Sequence, residues 1–245
     1  MISDKKITVV VTSFNRFDLL KQTVDSILSL NTYPIERFVV IEDSVNLEMK
    51  DKILDTYKDK IELIYNDINI GQPKSIDKAY RTVTTEYIFH SEDDYYYRGN
   101  PNFIKDSIDI LEEKKDVHQI WLRNLADFRA CGNEDTMTQF ENEILHTSTN
   151  VPYRMLLADK NGWCGFSFMP AVKRTEDYHR IFPNGYDACV TPPHFGSRAE
   201  GEVNTHAKNN GWRGAILVNG ACDSTGHALS TYRTPAQGGT YIEKI

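Results

Sequence analysis

The chain predicts an α/β fold built on a parallel sheet, and two observations carry that reading. Residues Ile7–Val11 form a continuous apolar, β-branched run, the pattern of a strand covered on both faces. Short apolar runs then alternate with segments of helical periodicity up to Ser91, the order expected of βαβ units with right-handed crossovers.

After the first strand, Asn15 is placed to cap a helix. Phe17, Leu20, Val24, Ile27 and Leu28 recur in it at helical spacing, with Asp18 in its first turn. Arg37–Ile41 reads as the second strand and ends at Glu42 and Asp43, with Asp43 or Ser44 available as the next cap. A helix over about Leu47–Tyr57 leads to a third strand at Ile61–Tyr65. The polar loop Asn66–Gly71 then enters a helix from Pro73 to about Val83, Pro being favourable at a first helical position. Tyr87–Ser91 is the fourth strand. Beyond it, Phe103–Leu111 predicts a helix, Gln119–Leu122 a strand and residues 129–149 a polar excursion. Phe166–Phe168 predicts a short strand, and Ala171–Ile181 a helix begun after Pro170. Residues 183–197 read as a surface loop rich in Pro, Gly and aromatic side chains. Arg198–Asn210 reads as a helix stopped by Gly211, Trp212–Val218 as the last strand, and the tail from Ala221 lacks periodicity.

Bulk properties narrow the functional classes. At 245 residues the chain suits one large domain, and a net charge of −7 disfavours nucleic-acid or anionic-membrane binding. Cys131, Cys164, Cys189 and Cys222 are far apart with no CxxC pair, so reduced thiols are expected rather than a zinc site. No signal peptide is apparent, and no apolar stretch approaches the roughly 20 residues that span a bilayer. A soluble, cytoplasmic protein is the expectation. The first strand–helix turn, Thr12-Ser13-Phe14-Asn15-Arg16, contains neither GxGxxG nor GxxxxGK[ST], which removes the main support for a dinucleotide-binding Rossmann domain or a P-loop NTPase.

The chemistry concentrates at Glu92-Asp93-Asp94, directly after the fourth strand. Three adjacent carboxylates repel one another unless a cation or hydrogen-bond donors neutralise them. Ligands of open α/β sheets bind at that end of the strands, and Mg²⁺ and Mn²⁺ favour carboxylate oxygens together with substrate phosphates. An acidic surface turn is the alternative reading of these residues taken alone.

Four segments in sequence order resemble glycosyltransferases of the GT-A fold, most closely the inverting family 2 group. They are Val9–Arg16, Val39–Ser44, Asn69-Ile70-Gly71 and Glu92-Asp93-Asp94, the last similar to the DxD-type motif. The resemblance implies a GT-A type α/β fold, a mostly parallel central sheet with helices on both faces. It further implies a nucleotide-sugar-binding half over residues 1–98, an acceptor and catalytic half over 99–220, and a C-terminal tail over 221–245.

By the same resemblance, Thr12, Ser13, Asn15, Arg16, Glu42, Asp43, Asn69, Gly71, Lys74, Glu92 and Asp93 are candidate nucleotide-binding residues. Asp94 is the candidate ligand of Mn²⁺ or Mg²⁺, with His227 as a possible second ligand. Inverting relatives carry an acidic pair before a helix ending in Gly-x-Arg. Ala199-Glu200-Gly201-Glu202 and Gly211-Trp212-Arg213 are similar, which makes Glu200 the candidate base and Glu202 its substitute. Here the base is Glu rather than Asp, Ala199 replaces the preceding acid, and Ser197-x-x-Glu200 also reads as a capping box. Trp163 is a candidate sugar-stacking residue. Tyr95-Tyr96-Tyr97-Arg98 is read as a mobile wall whose Arg98 pairs with the acids as its alternative role.

The expected activity is metal-dependent transfer from a nucleotide-sugar, a UDP-sugar first, to a hydroxyl acceptor with inversion. Two alternatives stand beside it: a non-catalytic nucleotide- or glycan-binding module, and a sugar nucleotidyltransferase.

Overall fold

A computed structural model describes residues 5–130, 140–157, 163–191 and 196–225. The amino-terminal half runs β1 (Ile7–Ser13), α1 (Phe17–Leu30), β2 (Arg37–Glu42), α2 (Leu47–Tyr57), β3 (Glu62–Tyr65), α3 (Gln72–Tyr80) and β4 (Tyr87–Glu92). It continues through β5 (Tyr95–Tyr97), α4 (Phe103–Glu113), β6 (Gln119–Trp121), α5 (Leu125–Ala130), β7 (Leu145–His146) and β8 (Pro152–Met155). Then follow β9 (Ala171–Arg174), α6 (Thr175–Ile181), α7 (Gly196–Asn209), β10 (Gly214–Leu217) and β11 (Cys222–Ser224).

Nine strands form one sheet in the order β3-β2-β1-β4-β9-β6-β10-β8-β7, and β11 pairs with β5 in a separate two-stranded ribbon. β9 and β8 run against the other seven strands, so the sheet is mixed but mostly co-directed. Every residue of β1 is buried, because the sheet carries helices on both faces. Ile7, Val9 and Val11 face an apolar layer shared with α1, α2 and α4, whereas Val10 faces the layer of α3, α6 and α7. This alternation is the strand period of two at work.

Three local expectations give way to tertiary context. Ala171–Arg174 is a strand, and the helix begins only at Thr175. β4 and β6 leave a slot that β9 fills by pairing antiparallel with both, and these non-local hydrogen bonds outweigh the local helix signal. Phe166–Phe168 is not a strand, since its polar backbone groups bond to side chains instead of a ladder. The region expected to be a polar excursion holds β7, and β8 follows it as the other half of a hairpin.

The caps also differ from expectation. Arg16 rather than Asn15 occupies the start of α1, and Asn15 takes a φ of 54° to turn the chain there. Asn46, not Asp43 or Ser44, caps α2 by accepting from Glu48 N (3.0 Å) and Met49 N (3.4 Å). Gly211, at φ 75°, closes α7 as expected.

Two features lock the carboxyl-terminal half. Asp77 on α3 is buried and accepts from Tyr178 Oη (2.7 Å), Tyr186 N (2.8 Å) and Asp187 N (2.9 Å), tying α3 to α6 and the turn after it. Gly214 and Gly165 pass so closely that a Cβ on Gly214 would stand 2.6 Å from the Gly165 carbonyl oxygen. Cys164, Cys189 and Cys222 are free thiols. Among the described residues, no helix is long and apolar enough to cross a membrane.

Candidate active site

Strand register assembles the acidic centre. β1 lies between β2 and β4, so Thr12 pairs with Glu92 and Ser13 with Glu42. The turn after β1 then wraps the acids. Phe14 N donates to Asp93 Oδ2 (3.2 Å), and Asn15 N donates to Glu42 Oε1 (3.0 Å). Arg16 donates through Nε to Asp93 Oδ2 (3.2 Å), through Nη2 to Asp93 Oδ1, and through Nη1 to Asp94 Oδ2 (3.1 Å). Arg16 is thus the internal counter-cation of the motif. Arg98, the alternative considered from sequence, pairs with Asp223 instead. Tyr95–Tyr97 is a paired strand with Tyr95 and Tyr97 buried and Tyr96 exposed.

The other candidate nucleotide-site residues line up at the same edge of the sheet. Thr12 and Ser13 are buried at the end of β1, and Ser13 Oγ is a buried hydroxyl without a hydrogen-bond partner. Glu42 Oε1 also accepts from Ser44 N (2.9 Å), while its Oε2 is buried and unpartnered. Both oxygens of Asp43 are engaged. Oδ1 accepts from Asn66 Nδ2 (2.9 Å) and Ile70 N (2.8 Å), and Oδ2 accepts from Gly71 N (2.7 Å). Asn69 Oδ1 accepts from the same Gly71 N (3.1 Å), and Gly71 enters α3 at φ 84°, a conformation that favours glycine. Lys74 stands 3.7 Å from Asp187 Oδ2 on the half-exposed side of α3.

Glu92 extends the cluster toward α7. Its Oε1 accepts from Gln72 Nε2 (2.8 Å). Burial first, then the charges of Asp94, Glu200 and Asp93, hold its carboxyl well above the ordinary carboxylate range. Glu200, on α7, is thus near enough for its charge to act on Glu92. Asp93 is pushed up to about 7 by burial, against the pull of Arg16.

Glu200 does not act as a helix cap. Its Oε1 accepts from Ser167 Oγ (2.6 Å) and Phe168 N (2.9 Å), and Oε2 has no hydrogen-bond partner among the described residues. Burial raises its pKa against the two donors. Glu202, two residues along α7, turns elsewhere and accepts from Thr191 N (2.6 Å) and Arg198 Nε (3.2 Å). Trp163 is half-buried against the layer containing Trp121, Phe128 and Phe140, with Nε1 unpartnered. His227 lies outside the described residues. Thr225 N donates to the Asp94 carbonyl (2.8 Å).

A profile described as glycosyl transferase family 2 matches residues 8–164, more than half of the chain. The chain belongs to glycosyl transferase family 2. Solved structures agree on the fold. A mannosyltransferase, PcManGT from Pyrobaculum calidifontis in complex with GDP-Man and Mn²⁺, superposes with a TM-score of 0.61 at 16% identity, over 94% of this chain and 59% of that one. S. aureus TarS 1-349 superposes with a TM-score of 0.57 at 15% identity, over 90% of this chain and 60% of that one. The chain therefore spans about 60% of the length of these two proteins. No curated protein matches it by sequence.

The acid centre fits a hard divalent cation. Among the described residues, no three His, Cys, Asp or Glu side chains are placed to hold a metal by themselves. Mg²⁺ and Mn²⁺ sites that include substrate phosphates need only one or two carboxylates, with phosphate and water oxygens completing the shell. Asp94 meets that need, because its Oδ1 has no hydrogen-bond partner among the described residues and its side chain is 18% exposed. Gln72, which carries no motif, was not among the residues the sequence singled out and reaches the acids only through the fold.

Proposed function

We propose that this family 2 glycosyltransferase moves a sugar from a nucleoside-diphosphate sugar, UDP-linked in the first instance, to an acceptor hydroxyl with inversion at the anomeric carbon. The observation that supports the proposal is the acid motif at the carboxyl end of β4, wrapped by the turn after β1 in a chain that matches family 2.

In this reading the turn Thr12–Arg16, the loop shaped by Asp43, and Gly71 receive the nucleoside diphosphate. Backbone N–H groups and hydroxyls at the end of β1 suit phosphate and ribose oxygens. Asp94 would hold the divalent cation, which when bound offsets negative charge on the departing diphosphate. Glu200 Oε2 takes the proton of the acceptor hydroxyl as its oxygen attacks the anomeric carbon. The bond from that carbon to the diphosphate oxygen breaks, and the nucleoside diphosphate leaves from the opposite face. Arg16 keeps Asp93 and Asp94 in register beneath it.

The test is turnover of a donor panel that includes UDP-sugars and GDP-mannose with Mn²⁺, read as nucleoside-diphosphate release and as the anomeric configuration of the product by proton NMR. At least one donor is expected to turn over with inversion. Absence of turnover with every donor, alongside measurable nucleotide binding, would support a binding module instead. Pyrophosphate release from a nucleoside triphosphate would support a nucleotidyltransferase.

A further inference from the structure

Residues Cys164–Met169 form a strap with no ladder of its own, yet it is bonded on both sides. Toward the sheet, Gln119 Nε2 donates to the Ser167 carbonyl (2.8 Å) and Trp121 Nε1 to the Gly165 carbonyl (3.1 Å), both buried. Toward α7, Cys164 N donates to Asn204 Oδ1 (3.0 Å), one helical turn after Glu200. Ser167 Oγ donates to Glu200 Oε1 (2.6 Å), and Phe168 N donates to the same oxygen (2.9 Å). Ser167 Oγ in turn accepts from Met169 N (3.0 Å), which fixes its own rotamer. Ser167 is 1% exposed.

The consequence is an asymmetric carboxylate. Both local donors converge on Oε1, so the side chain cannot swing toward solvent without breaking two charge-assisted bonds. Oε2 is left without a hydrogen-bond partner among the described residues. We infer that Ser167 is a positioning residue for the transfer reaction, aiming Glu200 Oε2 at the acceptor hydroxyl, with Gln119 anchoring Ser167 from the central sheet. The inference rests on Glu200 being the base. It requires a hydroxyl at residue 167 that no metal, nucleotide or acceptor needs to touch. The same donors also lower the pKa of Glu200 against burial, so the strap adjusts the base as well as aiming it.

The decisive variants are Ser167→Ala and Ser167→Thr, assayed with the donor that the wild type turns over. Ser167→Ala is expected to lower kcat on the order of 10-fold with the donor KM unchanged, the signature of misaimed chemistry rather than weakened binding. Its acid limb is expected to move to higher pH, because Glu200 loses a donor that favours the carboxylate. Ser167→Thr, which keeps the hydroxyl, is expected to restore most of the rate and the original limb. Gln119→Leu, which leaves Oγ in place, is expected to lower kcat with the same unchanged KM. A Ser167→Ala enzyme with wild-type kcat and an unmoved pH profile would overturn the inference while leaving the transferase reading intact. An unaffected Glu200→Gln enzyme would instead remove the base assignment, and the inference with it.

Discussion

Glu200→Gln is expected to lower kcat by about 100- to 10,000-fold, the range lost when a general base is removed, while nucleotide binding stays near wild type. The substitution is nearly isosteric, and a carboxamide oxygen can still accept from Ser167 Oγ and Phe168 N at the Oε1 position. What disappears is the unpartnered Oε2 as a proton acceptor. Because burial raises the pKa of Glu200, wild-type activity should rise with pH as this carboxyl ionises, and the variant should lose that limb. Steady-state kinetics across pH with calorimetric nucleotide binding separate the two effects. A variant with a wild-type rate would move the base elsewhere.

Arg16→Met is expected to cost about 3 kcal/mol of folding stability, because it leaves the buried Asp93 carboxylate without its cation. The size of the loss depends on pH. Asp93 has a folded pKa near 7, above its ordinary value of 3.8, so its contribution favours the fold at low pH and is lost as pH rises through about 7. The variant should therefore be weakest relative to wild type above pH 7 and nearer to it at pH 5. Urea denaturation at both values measures this. Adding Asp93→Asn to Arg16→Met should recover part of the loss, since no uncompensated charge is then buried. An equal loss at both pH values, without recovery in the double variant, would mean that packing rather than charge explains it.

The amino-terminal half was legible because its strands are covered on both faces. Continuous apolar runs such as Ile7–Val11 and Val39–Ile41 have few other readings, and the acids after Ile41 and Ser91 stand at the strand ends where ligands of open α/β sheets bind. The centre of the sheet was less so. Pro170 announces a helix, and Lys173 and Arg174 hide the strand. Lys173 is fully buried among Tyr80, Phe166 and Tyr186, where burial pushes its ammonium down to about 7, and no local pattern signals that. Arg16 was visible as a candidate nucleotide contact, but its pairing with acids 77 and 78 residues away depends on β1 and β4 lying side by side. Glu200 was a candidate base from its distance to Gly211. Its hydrogen bonds to Ser167 Oγ and Phe168 N, which displace the cap reading, depend on the packed strap.

The central claim is that the acids closing β4 hold a divalent ion against a nucleoside diphosphate. Isothermal titration of UDP and of GDP in the presence of Mn²⁺, comparing wild type with Asp94→Asn, tests it most directly. Metal-dependent binding of at least one nucleotide is expected, tighter at pH 8 than at pH 6, because Asp93 and Glu92 release protons as the cation arrives. A loss of at least about 10-fold is expected in Asp94→Asn, the cost of one missing carboxylate ligand. Nucleotide binding that is equally tight without Mn²⁺, and unchanged by Asp94→Asn, would contradict the claim.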